Sequence, residues 1–168
     1  MNGLEIPVSR GSDRPYNCRM TATDIYQEIV LDHARAPRNF GKLPEYSHAA
    51  DGVNALCGDT LRAELRCVDG RIVAVCFSGE SCAITTATAS MLSEFARERT
   101  PAEILEAKRR FASLIAGDGA DEQEFGPLNA LAELRKYPGR RKCAMLPWAT
   151  LCAALDGERM VSTETPPG

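Results

Sequence analysis

The chain has 168 residues, of which 44% are hydrophobic and 26% are charged, and its net charge is -3. This length suits a single domain, and a small negative charge gives no basic surface for nucleic acid or for anionic lipid. Because no apolar run is long enough to cross a bilayer and the N-terminus lacks the apolar core of a secretory signal, we expect a cytoplasmic protein that binds neither nucleic acid nor membranes.

The chain is unusually rich in cysteine, with seven cysteines and only two histidines. A reducing cytosol keeps thiols free, so metal binding or catalysis explains these residues better than a disulfide framework. Because histidine is scarce, any metal site must depend on sulfur and carboxylate ligands.

The two ends of the chain differ in pattern from its middle. Residues 1–19 contain Gly, Pro, Ser and Arg with little periodic apolar content, which predicts a flexible extension. We expect one domain over residues 20–156 and a flexible tail over residues 157–168. The first helix is predicted to begin at Thr23 and to end before Pro37, because apolar residues recur at helical spacing between them.

The middle of the chain predicts strands. Apolar and charged residues alternate over residues 61–67, Asp69 and Gly70 form a two-residue turn signal, and residues 71–77 return as a mostly apolar segment. A third strand is expected around residues 46–53. The fold class is therefore α+β, with a small antiparallel sheet of about three strands packed against helices.

Helical patterns dominate the second half. Thr100, followed by proline and then Glu103, predicts a capped helix that runs to about Ala116. Pro147 is tolerated only near the first turn of a helix, which places the start of the last helix close to Cys143. Helices are expected to start close to Cys82, Thr100, Leu128 and Cys143.

Four residues at the ends of predicted elements are candidate metal ligands. Only Gly58 separates Cys57 from Asp59, so both side chains can point toward one place, and Cys82 and Cys143 stand at helix starts, where thiolate is favoured. Three thiolates and one carboxylate are a donor set that zinc accepts, and iron is an alternative. Simple burial of the cysteines explains the spacing equally well, since no CxxC pair is present.

A basic run adjoins the last of these cysteines. Three thiolates and one carboxylate carry more negative charge than one divalent ion neutralises, and Arg140, Arg141 and Lys142 are placed to offset the excess. The remaining cysteines inside predicted elements are interpreted as small buried side chains. They are Cys67, Cys76 and Cys152.

Four segments occur in the order found in one known family: "IYQEIVLDHARAPRNFG", "CGDTLRAEL", "DGRIVAVCFSGESCAITTATASML" and "RRKCAMLPWATL". Together they resemble the IscU-like (NifU N-terminal-like) proteins of iron–sulfur cluster assembly, and within them the SufU type. The resemblance covers roughly residues 23–155. Lys142 stands where scaffold members carry histidine, and the stretch from Ser113 to Tyr137 is an addition relative to them.

The resemblance implies a Zn²⁺ site formed by Cys57, Asp59, Cys82 and Cys143, with iron or a [2Fe–2S] cluster as the alternative. It further implies sulfur transfer. A pyridoxal phosphate (PLP)-dependent, SufS-like cysteine desulfurase would pass persulfide sulfur to Cys57, with Asp59 holding the metal, and a downstream cluster scaffold would receive the sulfur. This would make the protein a zinc-dependent sulfurtransferase that acts together with the desulfurase.

Two alternatives accompany this expectation. The chain could itself be a scaffold on which a [2Fe–2S] cluster is assembled, or it could be a non-catalytic binding module whose zinc is purely structural. The oligomeric state does not follow from the sequence.

Overall fold

A computed structural model describes residues 22–118 and 122–164. The predicted extension over residues 1–19 lies outside this range. In chain order the described elements are α1 (Ala22–Arg35), β1 (His48–Asn54), β2 (Asp59–Val68), β3 (Arg71–Ser78), α2 (Ala83–Phe95), α3 (Pro101–Ala116), a 3₁₀ segment (Glu122–Lys136), a short 3₁₀ turn (Pro138–Arg140), α4 (Arg141–Leu155) and β4 (Met160–Ser162).

The four strands form one mixed sheet in the order β3, β2, β1, β4, and helices pack against it. The three predicted strands are present and pair antiparallel. Asp69 and Gly70 join β2 to β3, and both have positive φ angles, as a type I′ turn requires. The expected α+β class is therefore confirmed, with one strand more than predicted.

The additional strand corrects our expectation for the C-terminal tail. Met160–Ser162 pairs parallel with β1. Hydrogen bonds from the Asp51 N–H to the Arg159 carbonyl (2.9 Å) and from the Thr163 N–H to the Val53 carbonyl (3.2 Å) flank this pairing. The side-chain pattern did not indicate this strand, because its contacts join main-chain atoms and three residues are too few to show a period-two pattern.

Two helical predictions also need correction. The segment expected over residues 128–136 begins earlier, at Glu122, and its 3₁₀ geometry breaks at Gly126. The last helix begins at Arg141, so Pro147 is its seventh residue rather than part of its first turn. Pro147 has no N–H to donate to the Cys143 carbonyl four residues earlier. That carbonyl instead accepts a hydrogen bond from the Thr85 hydroxyl at 3.1 Å.

The predicted α3 helix is confirmed in detail. The Thr100 side chain accepts the Glu103 N–H, and the Glu103 side chain in return accepts the Thr100 N–H. This reciprocal pair satisfies two N–H groups that a helix start would otherwise leave free.

The core lies between the sheet and the helices. Trp148 on α4 is fully buried and stacks on Phe111 of α3 with ring centroids 5.1 Å apart, while Phe95 and Phe125 approach Trp148 edge-on. This aromatic cluster fixes α4 relative to α2 and α3, and through α4 it fixes Cys143. None of the helices in the two described ranges has the length and apolar character that a membrane span requires.

Candidate metal centre

The candidate ligands meet at one end of the sheet. Asn54 at the end of β1 pairs with Asp59 at the start of β2, and the chain between them forms a tight loop that carries Cys57. The Thr60 N–H donates to the Glu80 carbonyl at 2.8 Å, which brings the segment leading to Cys82 to the same place. The sheet therefore gathers residues that are far apart in sequence.

Three of the four predicted ligands form a compact group. One atom each from Cys57, Asp59 and Cys143 lies within 4.8 Å of the others, and the two sulfur atoms are 3.3 Å apart. Cys82 is outside this group but next to it, because its backbone N–H donates to Asp59 Oδ1 at 2.8 Å. Ligation by Cys82 stays a prediction.

Cys82 occupies the N-cap position of α2, one residue before the helix. Its side chain makes no capping hydrogen bond to the helix backbone, so the sulfur lone pairs are not engaged there. Its sulfur contacts Thr85 Oγ1 at 3.4 Å. Since helix N-termini favour negative charge, this position suits a thiolate.

Asp59 is almost completely buried, with 1% of its surface exposed. Its two oxygens are both engaged, Oδ1 by the Cys82 N–H and Oδ2 by the Thr85 hydroxyl at 2.8 Å. Each carboxylate oxygen has a second lone pair, so the group can remain hydrogen-bonded and still bind a cation. The carboxylate orientation is thus fixed before any metal arrives.

The three thiols of the site differ in exposure. Cys143 is fully buried, Cys82 is partly buried and Cys57 is exposed. Burial, the contacts with the Cys57 and Cys82 sulfurs and their negative charge together raise the pKa of Cys143 to about 12. The Cys143 thiol therefore ionises at neutral pH only when positive charge is placed beside it.

This donor set fits a zinc ion. Two ligands bound at about 2.3 Å in tetrahedral geometry lie roughly 3.8 Å apart, and the observed group needs only small adjustments to reach that arrangement. Thiolate and carboxylate are common zinc donors, and a divalent cation would supply the positive charge that the buried Cys143 lacks.

The predicted charge compensation by the basic run is not visible as an ion pair to the site in the described residues. Arg141 donates to the backbone carbonyl of Arg135 at 3.0 Å, while Arg140 and Lys142 are exposed at the start of α4. Any charge compensation by these residues would be a through-space electrostatic effect without a direct ion pair. It stays a prediction.

A groove of about 610 Å³ opens beside Cys82. Its walls are formed by α1, the start of α2 and the 3₁₀ segment, and they are mostly apolar. Arg140 is one of its lining residues. The sulfur of Cys82 is therefore near a surface that solvent and other molecules can reach.

The family model described as the NifU-like N terminal domain matches residues 25–144, which contain all four predicted ligands. The chain belongs to this family. The match covers more than half of the chain, and it confirms the resemblance that the four sequence segments indicated.

Individual relatives support the same assignment. The chain is 34% identical to the zinc-dependent sulfurtransferase SufU of Bacillus subtilis, over 76% of this chain and 86% of that protein. It is 30% identical to the iron–sulfur cluster assembly scaffold protein IscU of Thermotoga maritima, over 78% of this chain and 92% of that protein. The chain is thus related to both SufU and IscU proteins.

Solved structures of the family share the fold. A candidate scaffold protein for iron–sulfur cluster assembly in the SUF system of Fervidobacterium islandicum superposes with a TM-score of 0.73 at 31% identity. The alignment covers 80% of this chain and 99% of that one. A mixed sheet packed with helices is therefore the family architecture.

The sequence analysis did not identify two residues that lie beside the candidate metal ligands. Thr85, fully buried, contacts Asp59, Cys82 and the Cys143 backbone. Asn54, also fully buried, places its Nδ2 4.0 Å from Cys143 Sγ. The only sequence signal for Thr85 was its spacing of three residues from Cys82, which puts both on one turn of α2.

Of the three cysteines interpreted as small buried side chains, Cys152 is buried, whereas Cys67 and Cys76 are only partly buried. Burial raises the pKa of Cys67, Cys76 and Cys152, which keeps these thiols protonated. All three are free of disulfides. This environment is typical of unreactive cysteines.

Proposed function

We propose that this protein accepts persulfide sulfur on Cys57 from a PLP-dependent cysteine desulfurase of the SufS type, with Zn²⁺ held by Cys57, Asp59, Cys82 and Cys143. The sulfur then goes to a downstream scaffold for cluster assembly. The observation that supports the proposal is the exposure of Cys57, since Cys82 is partly buried and Cys143 is fully buried.

Exposure decides which thiol can react with another protein. Persulfide transfer requires the attacking sulfur to reach a donor sulfur along the S–S axis, and a buried thiol cannot do so without unfolding its surroundings. Cys57 lies on a loop whose four residues are all exposed. It is therefore the most exposed of the three thiols and the one that a docked partner reaches most readily.

The transfer itself balances without an added oxidant. The Cys57 thiolate attacks the outer sulfur of the donor persulfide, a new S–S bond forms on Cys57, and the donor's S–S bond breaks. The donor cysteine leaves as a thiolate, and the hydrogen of the donor persulfide remains on the transferred sulfur. The oxidation level of the sulfur passes unchanged from one protein to the other.

The bound cation would supply the positive charge that keeps the site's thiols ionised. The residues of the chain divide the remaining tasks. Asp59 is locked by hydrogen bonds from Cys82 and Thr85. Cys143 is anchored in α4, so loss of one exposed ligand leaves the buried donors in place.

Sulfur transfer is tested by mass spectrometry. The zinc-loaded protein is incubated with a cysteine desulfurase and cysteine, then digested and searched for a mass increase of about 32 Da, one sulfur atom. We expect this increase on the Cys57 peptide, together with faster sulfide release by the desulfurase. Cys57→Ala should lose both effects, while the matched control Cys76→Ala should keep them.

Two results would contradict the proposal. An adduct confined to Cys82 or Cys143 would show that the acceptor is wrong. A folded Cys57→Ala variant that still stimulates the desulfurase fully would favour the binding module with structural zinc.

A [2Fe–2S] scaffold is the second candidate function, because relatives named as IscU scaffold proteins match the chain nearly as well as SufU does. Anaerobic reconstitution with ferrous iron and sulfide distinguishes the two. We expect no stable chromophore on the zinc-loaded protein. A stable chromophore with stoichiometric iron would favour the scaffold.

A further inference from the structure

Thr85 occupies the centre of the candidate site, although it is neither a cysteine nor a charged residue. It is the third residue of α2 and is fully buried. Its hydroxyl oxygen lies 2.8 Å from Asp59 Oδ2, 3.1 Å from the Cys143 carbonyl and 3.4 Å from Cys82 Sγ. One side chain thus contacts the start of β2, the N-cap of α2 and the first turn of α4, which carry Asp59, Cys82 and Cys143.

The hydroxyl has a single proton, and two acceptors compete for it. A carboxylate is the stronger acceptor, so the shorter contact to Asp59 is the main hydrogen bond. The contact to the Cys143 carbonyl is the weaker one. This carbonyl is free to accept it because Pro147 has no N–H with which to complete the helical hydrogen bond. Thr85 therefore serves β2 and α4 at the same time.

We propose that Thr85 is a positioning residue for the metal centre, and that its hydroxyl holds the Asp59 carboxylate in the orientation in which it binds the cation. The proposal rests on the metal-binding part of the proposed function and is independent of sulfur transfer. Without the hydroxyl, Asp59 keeps only its bond from the Cys82 N–H and can rotate about it.

The test compares two buried threonines of the same helix. Thr85→Val removes the hydroxyl at nearly constant volume. Thr88→Val is the matched control, because Thr88 is equally buried but donates only to the Ile84 carbonyl, at 2.7 Å. Zn²⁺ affinity is measured on the metal-free proteins by competition with a chromophoric chelator.

We expect Thr85→Val to bind Zn²⁺ about 10-fold to 100-fold more weakly than the parent, the range typical of lost partners of metal ligands. Thr88→Val should stay within about 3-fold, and Thr85→Ser, which keeps the hydroxyl, should recover most of the affinity. The Co²⁺-substituted Thr85→Val protein should also show a shifted visible absorption spectrum, since the carboxylate donor is disordered.

A second variant separates metal positioning from fold stability. Pro147→Ala supplies an N–H to the Cys143 carbonyl, so combining it with Thr85→Val repairs the backbone contact but leaves Asp59 without its partner. We expect the double variant to regain thermal stability without metal, yet to bind Zn²⁺ at least about 10-fold more weakly than Pro147→Ala alone. If Thr85→Val alone is poorly folded, this pair provides the same comparison.

Three results would overturn the proposal. They are equal Zn²⁺ affinities for Thr85→Val and Thr88→Val, a Thr85→Ser variant as weak as Thr85→Val, or recovery of affinity when Pro147→Ala is added. All three outcomes are read from metal binding alone. A failure of Cys57 to accept sulfur would leave them unaffected.

Discussion

The two sides of the candidate metal centre are built differently. On one side, Cys57 follows Leu56, whose side chain is 77% exposed, on a short loop at the surface. On the other side, Asp59, Thr85 and Cys143 are at most 1% exposed and are joined by hydrogen bonds. Under the proposed function, the buried side would retain the cation and the exposed side would meet the partner.

Removing the buried carboxylate should produce the largest effect. Asp59→Ala leaves the Cys82 N–H without its acceptor and leaves the Thr85 hydroxyl only the Cys143 carbonyl, which costs about 2 kcal/mol of folding free energy. Zn²⁺ affinity should fall by at least about 100-fold, since losing a ligand costs as much as losing its supporting partner or more. Calorimetry and chelator competition measure the two quantities.

Asp51→Ala is the control for this variant. Asp51 is a half-exposed carboxylate on β1 that pairs with Arg62. It should lose little stability and no Zn²⁺ affinity. Equal losses in the two variants would show that Asp59 has no special place in the site.

Two glycines test the contrast through the backbone. Gly79 has φ near 132°, and a Cβ there would lie 2.2 Å from the Thr60 carbonyl oxygen, whereas Gly58 has φ near 67° and open space around it. Gly79→Ala should therefore destabilise the protein by about 3 kcal/mol or more, and Gly58→Ala by only about 1 kcal/mol. Denaturant unfolding gives both values, and similar losses would contradict the assignment of a rigid and an open side.

The smallest effect should come from the C-terminal contact to the loop. The Glu164 carboxylate accepts the backbone N–H of Leu56, next to Cys57. Glu164→Ala should raise the alkylation rate of Cys57 in the metal-free protein by a few-fold, on the order of one lost exposed hydrogen bond, without changing the melting temperature. Glu158→Ala is the exposed control, and an unchanged alkylation rate would show that this contact does not restrain the loop.

Much of the fold could be predicted from local patterns. The turn at Asp69 and Gly70 and the capping box of Thr100 and Glu103 are short-range signals with defined geometry, and both are confirmed. The strand Met160–Ser162 could not be predicted, because it forms through main-chain pairing with β1 and carries no side-chain pattern. Pro147 was misplaced because its missing hydrogen bond is compensated by a residue from another helix.

The candidate site shows the same division. Its cysteines and Asp59 could be selected because thiols and carboxylates have a recognisable chemistry and stand at element ends. Thr85 and Asn54 could not, because threonine and asparagine are common in proteins and gain their roles only from long-range packing. The exposure difference between Cys57 and Cys143 likewise depends on where α4 lies in the folded chain.

The coordination of the metal tests the account most directly. X-ray absorption at the zinc edge counts the ligands of the loaded protein, and we predict three sulfurs at about 2.3 Å and one oxygen at about 2.0 Å. Cys82→Ala should remove one sulfur, whereas Cys76→Ala should leave the spectrum unchanged. A site with two sulfurs whose spectrum is the same in Cys82→Ala would contradict a centre built from three thiolates and one carboxylate.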